Sequence, residues 1–236
     1  MSVFSYHLVQ TSFLSGLKAI LLPPKPGRIP GLVHWESMHC MTLGSTVFSP
    51  SRLLLRQIAL FAQWESEAAL DQFLAQNNFG KIVSKGWHTR LEFMRQWGSI
   101  AGFKIPVTTV NPDTPDAPVV AVTIARMKLP EVPRFIRWGR PVEKLVRDHP
   151  GTTLSLASIR LPRVVSTFSI WKSQKEMTDM VRGHSTVPQP ERHLDAMQER
   201  ERKDFHFEFT TLRFRPIAEY GSWKGQNNYL PETEQQ

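Results

Sequence analysis

The sequence predicts an α+β fold: tandem ferredoxin-like repeats that form a single-chain, pseudo-two-fold dimeric α/β barrel. Three observations lead there. Phe61, Trp64, Ser66, Leu70 and Phe73 recur as Phe168, Trp171, Ser173, Met177 and Met180, an offset of 107 residues. Each copy reads strand, helix, strand, strand, helix, strand, which is the β-α-β-β-α-β unit. Such a unit exposes one sheet face, and a fused pair can bury both faces against each other with the helices outside.

In the first copy, alternation marks a strand at Val3–Gln10, followed by a helix over residues 12–21. Strands at 32–43 and Leu53–Trp64, a helix at 67–74 and a strand at 91–97 complete the unit. The second copy opens with the β-branched strand 119–126. Pro133 stands where a helix begins, and Phe135, Trp138, Val142, Leu145 and Val146 recur at helical spacing, with Pro141 expected to break or kink it. Residues 152–161 and Val164–Trp171 form a hairpin across Pro162 and Arg163. Ser173 with Glu176 is a capping box, Met177, Met180 and Val181 are its buried stripe, and 205–214 is the closing strand.

Two further anchors tie the copies together. Pro30-Gly31 matches Pro150-Gly151 at an offset of 120, and Val3 matches Val119 at 116, the difference reflecting a longer connection around Thr46 to Ser51 in the first copy. The boundaries that follow are residues 1–104 for the first repeat, 105–118 for a proline-rich linker, 119–223 for the second repeat with the functional site, and 224–236 for a flexible tail.

Composition limits the function classes. The chain has 236 residues, 41% hydrophobic and 21% charged, so disorder, collagen and coiled coil are excluded. A single cysteine, Cys40, rules out an internal disulfide and a four-cysteine zinc site, and fits a reducing, cytoplasmic setting. The apolar run at Ala19 to Leu22 is cut by Pro23 and Pro24 and is far short of the ~20 residues of a membrane span. Residues 1–6 lack the basic and small-residue pattern of a signal peptide. The net charge of +8 comes from 29 basic and 21 acidic residues scattered over every segment. That pattern favours solubility over nucleic-acid binding, and peripheral contact with anionic lipid would suit an apolar substrate.

No phosphate-binding glycine loop, nucleophile elbow, H-E-x-x-H or acidic metal cluster is present, which points to an external cofactor or a shaped cavity as the carrier of any reaction. A Ser-His-Asp triad needs no sequence proximity, but without an elbow turn none is indicated. Of eight histidines, His184 is singled out because it follows Gly183 directly after the second-copy helix, where the first copy has Asn77. The choice there lies between a metal or haem ligand and a capping or exposed residue. His34, His39 and Cys40 make a second cluster, yet His39 and Cys40 point to opposite faces of a strand, so Cys40 reads as a small buried hydrophobe. Trp64 and Trp171 read as core rather than a cofactor box.

The run from Val165 to Trp171, the helix ending at Gly183-His184, the stretch 207–215 and the Gly221-Ser222-Trp223 ending resemble the spheroidene monooxygenase family. Pro30-Gly31-Leu32, Leu43-Gly44 and Ala62-Gln63-Trp64 fit the same pattern, so the likeness spans residues 30–223. It implies a haem-dependent monooxygenase that places a hydroxyl and then a keto group on an acyclic carotenoid, within the wider dimeric α/β-barrel group. It also implies haem b, an axial iron ligand at His184, and dioxygen or peroxide with an electron donor as co-reactants. The segment between Arg182 and Phe205 departs from that family in being longer and more polar, with Pro188, Pro190 and a charged helix.

Beside such a haem, Arg126, Arg160 and Ser169 are the candidate distal donors, and Phe168, Trp171, Phe207 and Phe209 the candidate apolar lining, with Phe168 and Trp171 on opposite faces of their strand. Three alternatives stay open: a haem lyase of the aldoxime dehydratase type, a non-catalytic haem or hydrophobic-ligand-binding protein, and a cofactor-free barrel oxygenase. The internal duplication permits a monomer, and exposed sheet edges would permit a homodimer.

Overall fold

In the computed structural model, which describes residues 2–45, 49 and 52–231, each copy has the expected order of elements. The first copy contains β1 (Val3–Gln10), α1 (Phe13–Leu21), β2 (Leu32–Met41), β3 (Leu53–Trp64), α2 (Glu67–Gln76), α3 (Asn78–Val83) and β4 (Trp87–Ser99). The second contains β5 (Val119–Met127), α4 (Val132–Asp148), β6 (Thr152–Arg160), β7 (Val164–Trp171), α5 (Gln174–Val181), α6 (Arg192–Arg202) and β8 (His206–Tyr220). The expected long connection around Thr46 to Ser51 lies, Ser49 and residues beyond Ser51 apart, outside the described residues, as does the end of the expected tail from residue 232.

All eight strands close one antiparallel barrel in the order β1-β3-β2-β6-β7-β5-β8-β4, with β4 returning to β1. Each copy contributes four neighbouring strands, and the copies meet at β4–β8 and β2–β6. The two seams are unequal: eleven register pairs join β4 to β8, but only His39–Met41 pair with Ala157–Ile159 across the other. Closure corrects the expectation of exposed edges as a drive to dimerise, because edge strands find partners within the chain. It also explains why β4 begins at Trp87 and β8 runs to Tyr220, beyond the predicted ends: Trp87 pairs with Leu8 of β1, and His88–Arg90 pair with Tyr220–Ala218.

The matched Pro-Gly motifs have a structural cause. Gly31 and Gly151 accept a backbone hydrogen bond, each 2.8 Å, from Glu65 and Lys172, the residues just after the matched tryptophans. A side chain at Gly31 would meet Ala69 of α2, and one at Gly151 would meet Glu176 of α5. Gly31 also holds φ +70, open to glycine at no steric cost. In both copies the strand entry is thus pressed against the second helix.

The barrel interior is filled. Phe4, Tyr6, Phe61, Phe93, Phe168 and Phe214 interlock there, with Tyr6 stacked on Phe168 at 3.8 Å and Phe4 tilted against Phe214 at 4.9 Å. Trp223, Tyr229 and Leu230 join this core, so residues 224–231 are not the flexible tail the sequence suggested. The Glu219 carboxylate holds the plug, accepting from Trp87 Nε1 at 2.6 Å and from the backbone N–H groups of Tyr229 and Leu230 at 3.1 and 2.8 Å.

Pro141 does not break α4, which continues from Val132 to Asp148. The carbonyl that loses its partner is that of Arg137, an exposed residue, so the helix lacks that bond on its solvent side. The N-cap forms at the predicted pair: Ser173 Oγ accepts from Glu176 N at 3.1 Å, and the Glu176 carboxylate is held by the Ser173 hydroxyl at 3.2 Å. Ser173→Ala lowers stability by about 1 kcal/mol, measurable as a thermal shift of about 3 °C; an unchanged midpoint would mean water caps this helix equally well. Among the described residues no helix is long and apolar enough to cross a membrane.

Candidate functional site

The outer layers of the two copies differ, and the difference starts in matched residues. Outward on β3 stand Ile58, Leu60, Ala62 and Trp64, all buried beneath the helices with Trp35, Leu70 and Phe73. The equivalent positions on β7 are Val165, Thr167, Ser169 and Trp171. Thr167, standing where the first copy has Leu60, is exposed at the centre of the strand. Its register partner Thr123 on β5 pairs in turn with Thr211 on β8, their hydroxyls 3.1 Å apart. A row of threonines therefore crosses the sheet where the first copy has a sealed apolar layer.

Helix α4 leaves this row uncovered. Of its apolar residues only Leu145 is buried, while Phe135, Trp138, Val142 and Val146 are half-buried. Its N-terminal half packs with Ala125, Met127, Phe205 and Phe209; its C-terminal half packs with Trp171, Met177 and Met180. Along the row Thr167 is exposed, and Thr123 and Thr211 are half-buried. The result is an open lane with an apolar wall at each end, the arrangement expected of a site for a mostly apolar ligand.

Two imidazoles border the layer. His206, at the start of β8, is 5% exposed. Its Nδ1 sits 2.9 Å from Asp204 Oδ1, which also accepts from the His206 backbone N–H at 2.9 Å. The carboxylate assigns the proton to Nδ1 and leaves Nε2 as a bare lone pair. That nitrogen is buried without a partner, and the imidazole ring lies 5.6, 5.7 and 5.0 Å, centre to centre, from Phe135, Phe205 and Phe209. Burial pushes the His206 pKa down against the pull of Asp204, so the ring is neutral at pH 7. His193, at the start of α6, donates from Nδ1 to the Val181 carbonyl at 3.0 Å, so its Nε2 also carries a free lone pair; burial lowers its pKa as well. Neither residue stood out in the sequence. The available signal was a histidine at each end of the charged α6 segment.

His184, by contrast, is exposed in the turn after α5, its backbone N–H bonded to Asp179 O at 2.8 Å. The proposed lining residues are dispersed. Phe168 is inside the barrel; Trp171 is outside it, under α5, its Nε1 donating to Ser169 Oγ at 2.8 Å. Ser169 is thereby occupied as a tryptophan acceptor. Phe209 belongs to the open layer with Arg200 over its ring at 3.8 Å, and Phe207 is 49% exposed beside Arg163.

Arg126 and Arg160 do come together, though on the inner face of the barrel rather than in that outer layer. Both turn inward at one end of the barrel onto Glu36, which is 2% exposed: Arg160 Nη2 lies 2.7 Å and Arg126 Nη2 3.5 Å from its oxygens. His34 Nε2 is 3.2 Å from Glu36 Oε1, and Arg126 also pairs with Glu208 at 2.5 Å. Burial alone would raise the Glu36 carboxyl, but the His34 hydrogen bond and the two arginine charges outweigh it and hold the group below the usual carboxylate range. The sequence held the clue in β2, where Glu36 shares its face with Met38 and Cys40. The network is neutral overall and internally paired, which is the form of a structural brace. Among the described residues no three His, Cys, Asp or Glu side chains are placed to hold a metal ion together.

Fold and layer together define the class: a single-chain α/β barrel of two ferredoxin-like repeats, sealed in the first repeat and open in the second. No protein-family model and no curated protein matches the chain. Among solved structures, an aldoxime dehydratase in complex with butyraldoxime is similar at a TM-score of 0.54, with 8% identity over 92% of this chain and 79% of that one. An anthrone oxidase-like protein is similar at 0.34, with 17% identity over 92% and 91% of the two chains. A monooxygenase-like protein from Listeria innocua is similar at 0.30, with 12% identity over 92% and 95%. What the first of these likenesses shows is the fold.

Proposed function

We propose that the open layer of the second repeat is the active site of an oxidoreductase acting on an apolar small molecule, with haem b as its prosthetic group. The observation that carries this reading is the unpartnered Nε2 of His206, buried in an aromatic shell and oriented by Asp204. A buried imidazole nitrogen with a free lone pair costs free energy unless a ligand or a proton uses it. The residue types of the layer are those that can hold an iron porphyrin: imidazoles whose Nδ1 is engaged and whose Nε2 is bare, aromatic side chains and threonines.

In this reading His193 would hold the iron, because its Nδ1–H is fixed by the Val181 carbonyl and its Nε2 is free of protein partners. His206 handles the proton: Asp204 keeps Nδ1 protonated, and Nε2 can take a proton from a bound reactant and return it. The aromatic rings exclude water, and the threonine hydroxyls orient any polar end of the substrate. Bound there, the haem would supply activation of dioxygen or peroxide, with electrons from an external donor. The acyclic carotenoids implied by the family resemblance are the substrate class of first choice, since a long apolar chain suits an open lane with hydrophobic ends.

Haemin titration of the purified protein tests this. The expected result is a saturable Soret shift that survives His184→Ala, is lost in His193→Ala and changes position in His206→Ala. Loss in His184→Ala alone would return the axial role to His184. No shift in any protein would remove the haem and leave a cofactor-free oxygenase or a ligand-binding module. With haem bound, oxygen-independent dehydration of an aldoxime, rather than oxygen-dependent turnover of an apolar polyene, would make the enzyme a lyase.

A further inference from the structure

We propose that Arg95, Arg182 and Arg213 form a binding site for a phosphoryl group at the β4–β8 seam. Arg95 and Arg213 are direct register partners on antiparallel strands. Like charges so placed repel, and a protein tolerates them at a cost unless something between them is negative. Both guanidinium groups also lie on the ring of Trp97, 4.7 and 4.5 Å from its centre, which gathers the two cations at one spot. Arg182, the C-cap residue of α5, supplies a third from the helical side.

Arg52, Arg90, Arg126, Arg134, Arg160 and Arg215 each meet a carboxylate. Among the described residues, Arg95, Arg182 and Arg213 have none within ion-pair distance. Arg28, Arg56, Arg137, Arg140, Arg163 and Arg192 also lack an ion pair among the described residues, and what sets these three apart is that they share one cleft. Its volume of about 130 Å³ is large enough for a phosphoryl group. Asp113 also lines it without pairing to any of them. Gln174, 8% exposed, also lines it, its Nε2 donating to the Pro112 carbonyl at 2.8 Å and its Oε1 buried and unpartnered. Burial, with the charges of Arg95 and Arg182, draws the Arg213 guanidinium down to about 10, as expected where a cation lacks its counter-ion.

Guanidinium groups converging from two strands and a helix end suit a tetrahedral dianion better than a planar carboxylate, because each can offer paired N–H donors to a different oxygen. A solvated arginine stack on Trp97 would not require any ligand, and the two possibilities give opposite results. In the full chain, inorganic phosphate at ten times its dissociation constant raises the melting temperature by about 4 °C over sodium chloride of equal ionic strength. Arg182→Gln weakens phosphate binding by about 20-fold in calorimetric titration. Arg95→Gln raises the melting temperature in the absence of phosphate, because the opposed charge is gone, and abolishes the phosphate-dependent rise. Vesicles of phosphatidylcholine with phosphatidic acid distinguish the source: arginine-dependent flotation identifies a lipid headgroup, and its absence with phosphate binding retained identifies a soluble phosphate. Equal stabilisation by phosphate and chloride, or a fall in melting temperature for Arg95→Gln, would overturn the site.

Discussion

Replacing Glu36 by alanine is expected to lower the unfolding free energy by about 3 kcal/mol, and the melting temperature by about 8 °C, because it strands two inward-facing guanidinium groups. Arg126 and Arg160 are 22% and 24% exposed at the side chain, and Glu36 is their shared partner within the barrel end. Arg126 keeps Glu208, but Arg160 has no other acid among the described residues, so it bears the larger share of the cost. Glu36→Gln retains hydrogen bonding without charge and falls between the two. The triple replacement of Glu36, Arg126 and Arg160 by methionine recovers most of the loss, since the one charge left in the network, Glu208, is 27% exposed and keeps the Ala101 backbone N–H as a donor. Urea denaturation of the four proteins decides the matter. A Glu36→Ala protein within about 0.5 kcal/mol of the parent would mean that water reaches both arginines and that the cluster braces nothing.

A second large effect is expected on acidification. His7 and His88 are register partners on β1 and β4, stacked at 4.8 Å, and none of their four ring nitrogens has a partner. Burial is the main cause that pushes His88 down to about 4 and His7 well below its ordinary value, with Arg90 adding to both and each histidine facing the other. Asp71 on α2 pulls His88 the other way, and Tyr220 stacks on it at 4.8 Å. The folded state therefore resists protonation that the unfolded chain accepts. Stability from this pair is fully present above pH 6.5 and is lost as pH falls toward about 4. His88 alone accounts for on the order of 3 kcal/mol over that window. Urea midpoints at pH 7 and pH 4.5 should separate clearly in the parent, and His88→Phe should flatten the slope between them. An equal slope in the variant would assign the acid loss to carboxylates instead.

The two predictions concern clusters that the sequence could not assemble, and the reason is the same in both. Glu36, Arg126 and Arg160 sit on three strands from both repeats, and His7 and His88 are brought together only by the β1–β4 ladder. Alternation within one strand gives the face on which a residue lies, but not which strand stands beside it. The seams β4–β8 and β2–β6 are long-range pairings with no local signature. The same holds for the opposed arginines at positions 95 and 213.

The candidate site was half visible. The repeat itself exposes the replacement of Leu60 by Thr167, because an offset of 107 sets the two residues side by side. His184 drew attention through its place after a glycine, yet the chain turns it outward. His193 and His206 acquire their orientation from Val181 and Asp204, contacts that depend on how α5, α6 and β8 pack.

By itself, then, the sequence determined the duplicated β-α-β-β-α-β order, the N-cap at Ser173 and the strand entries at Gly31 and Gly151. Each of these rests on local periodicity, turn chemistry or repetition. Only the tertiary structure decided that the edges close into one barrel, that residues 223–230 plug its end and that one outer layer is sealed while the other is open. Those outcomes depend on which surfaces meet, and burial and charge pairing across elements far apart in the chain are set by that meeting alone.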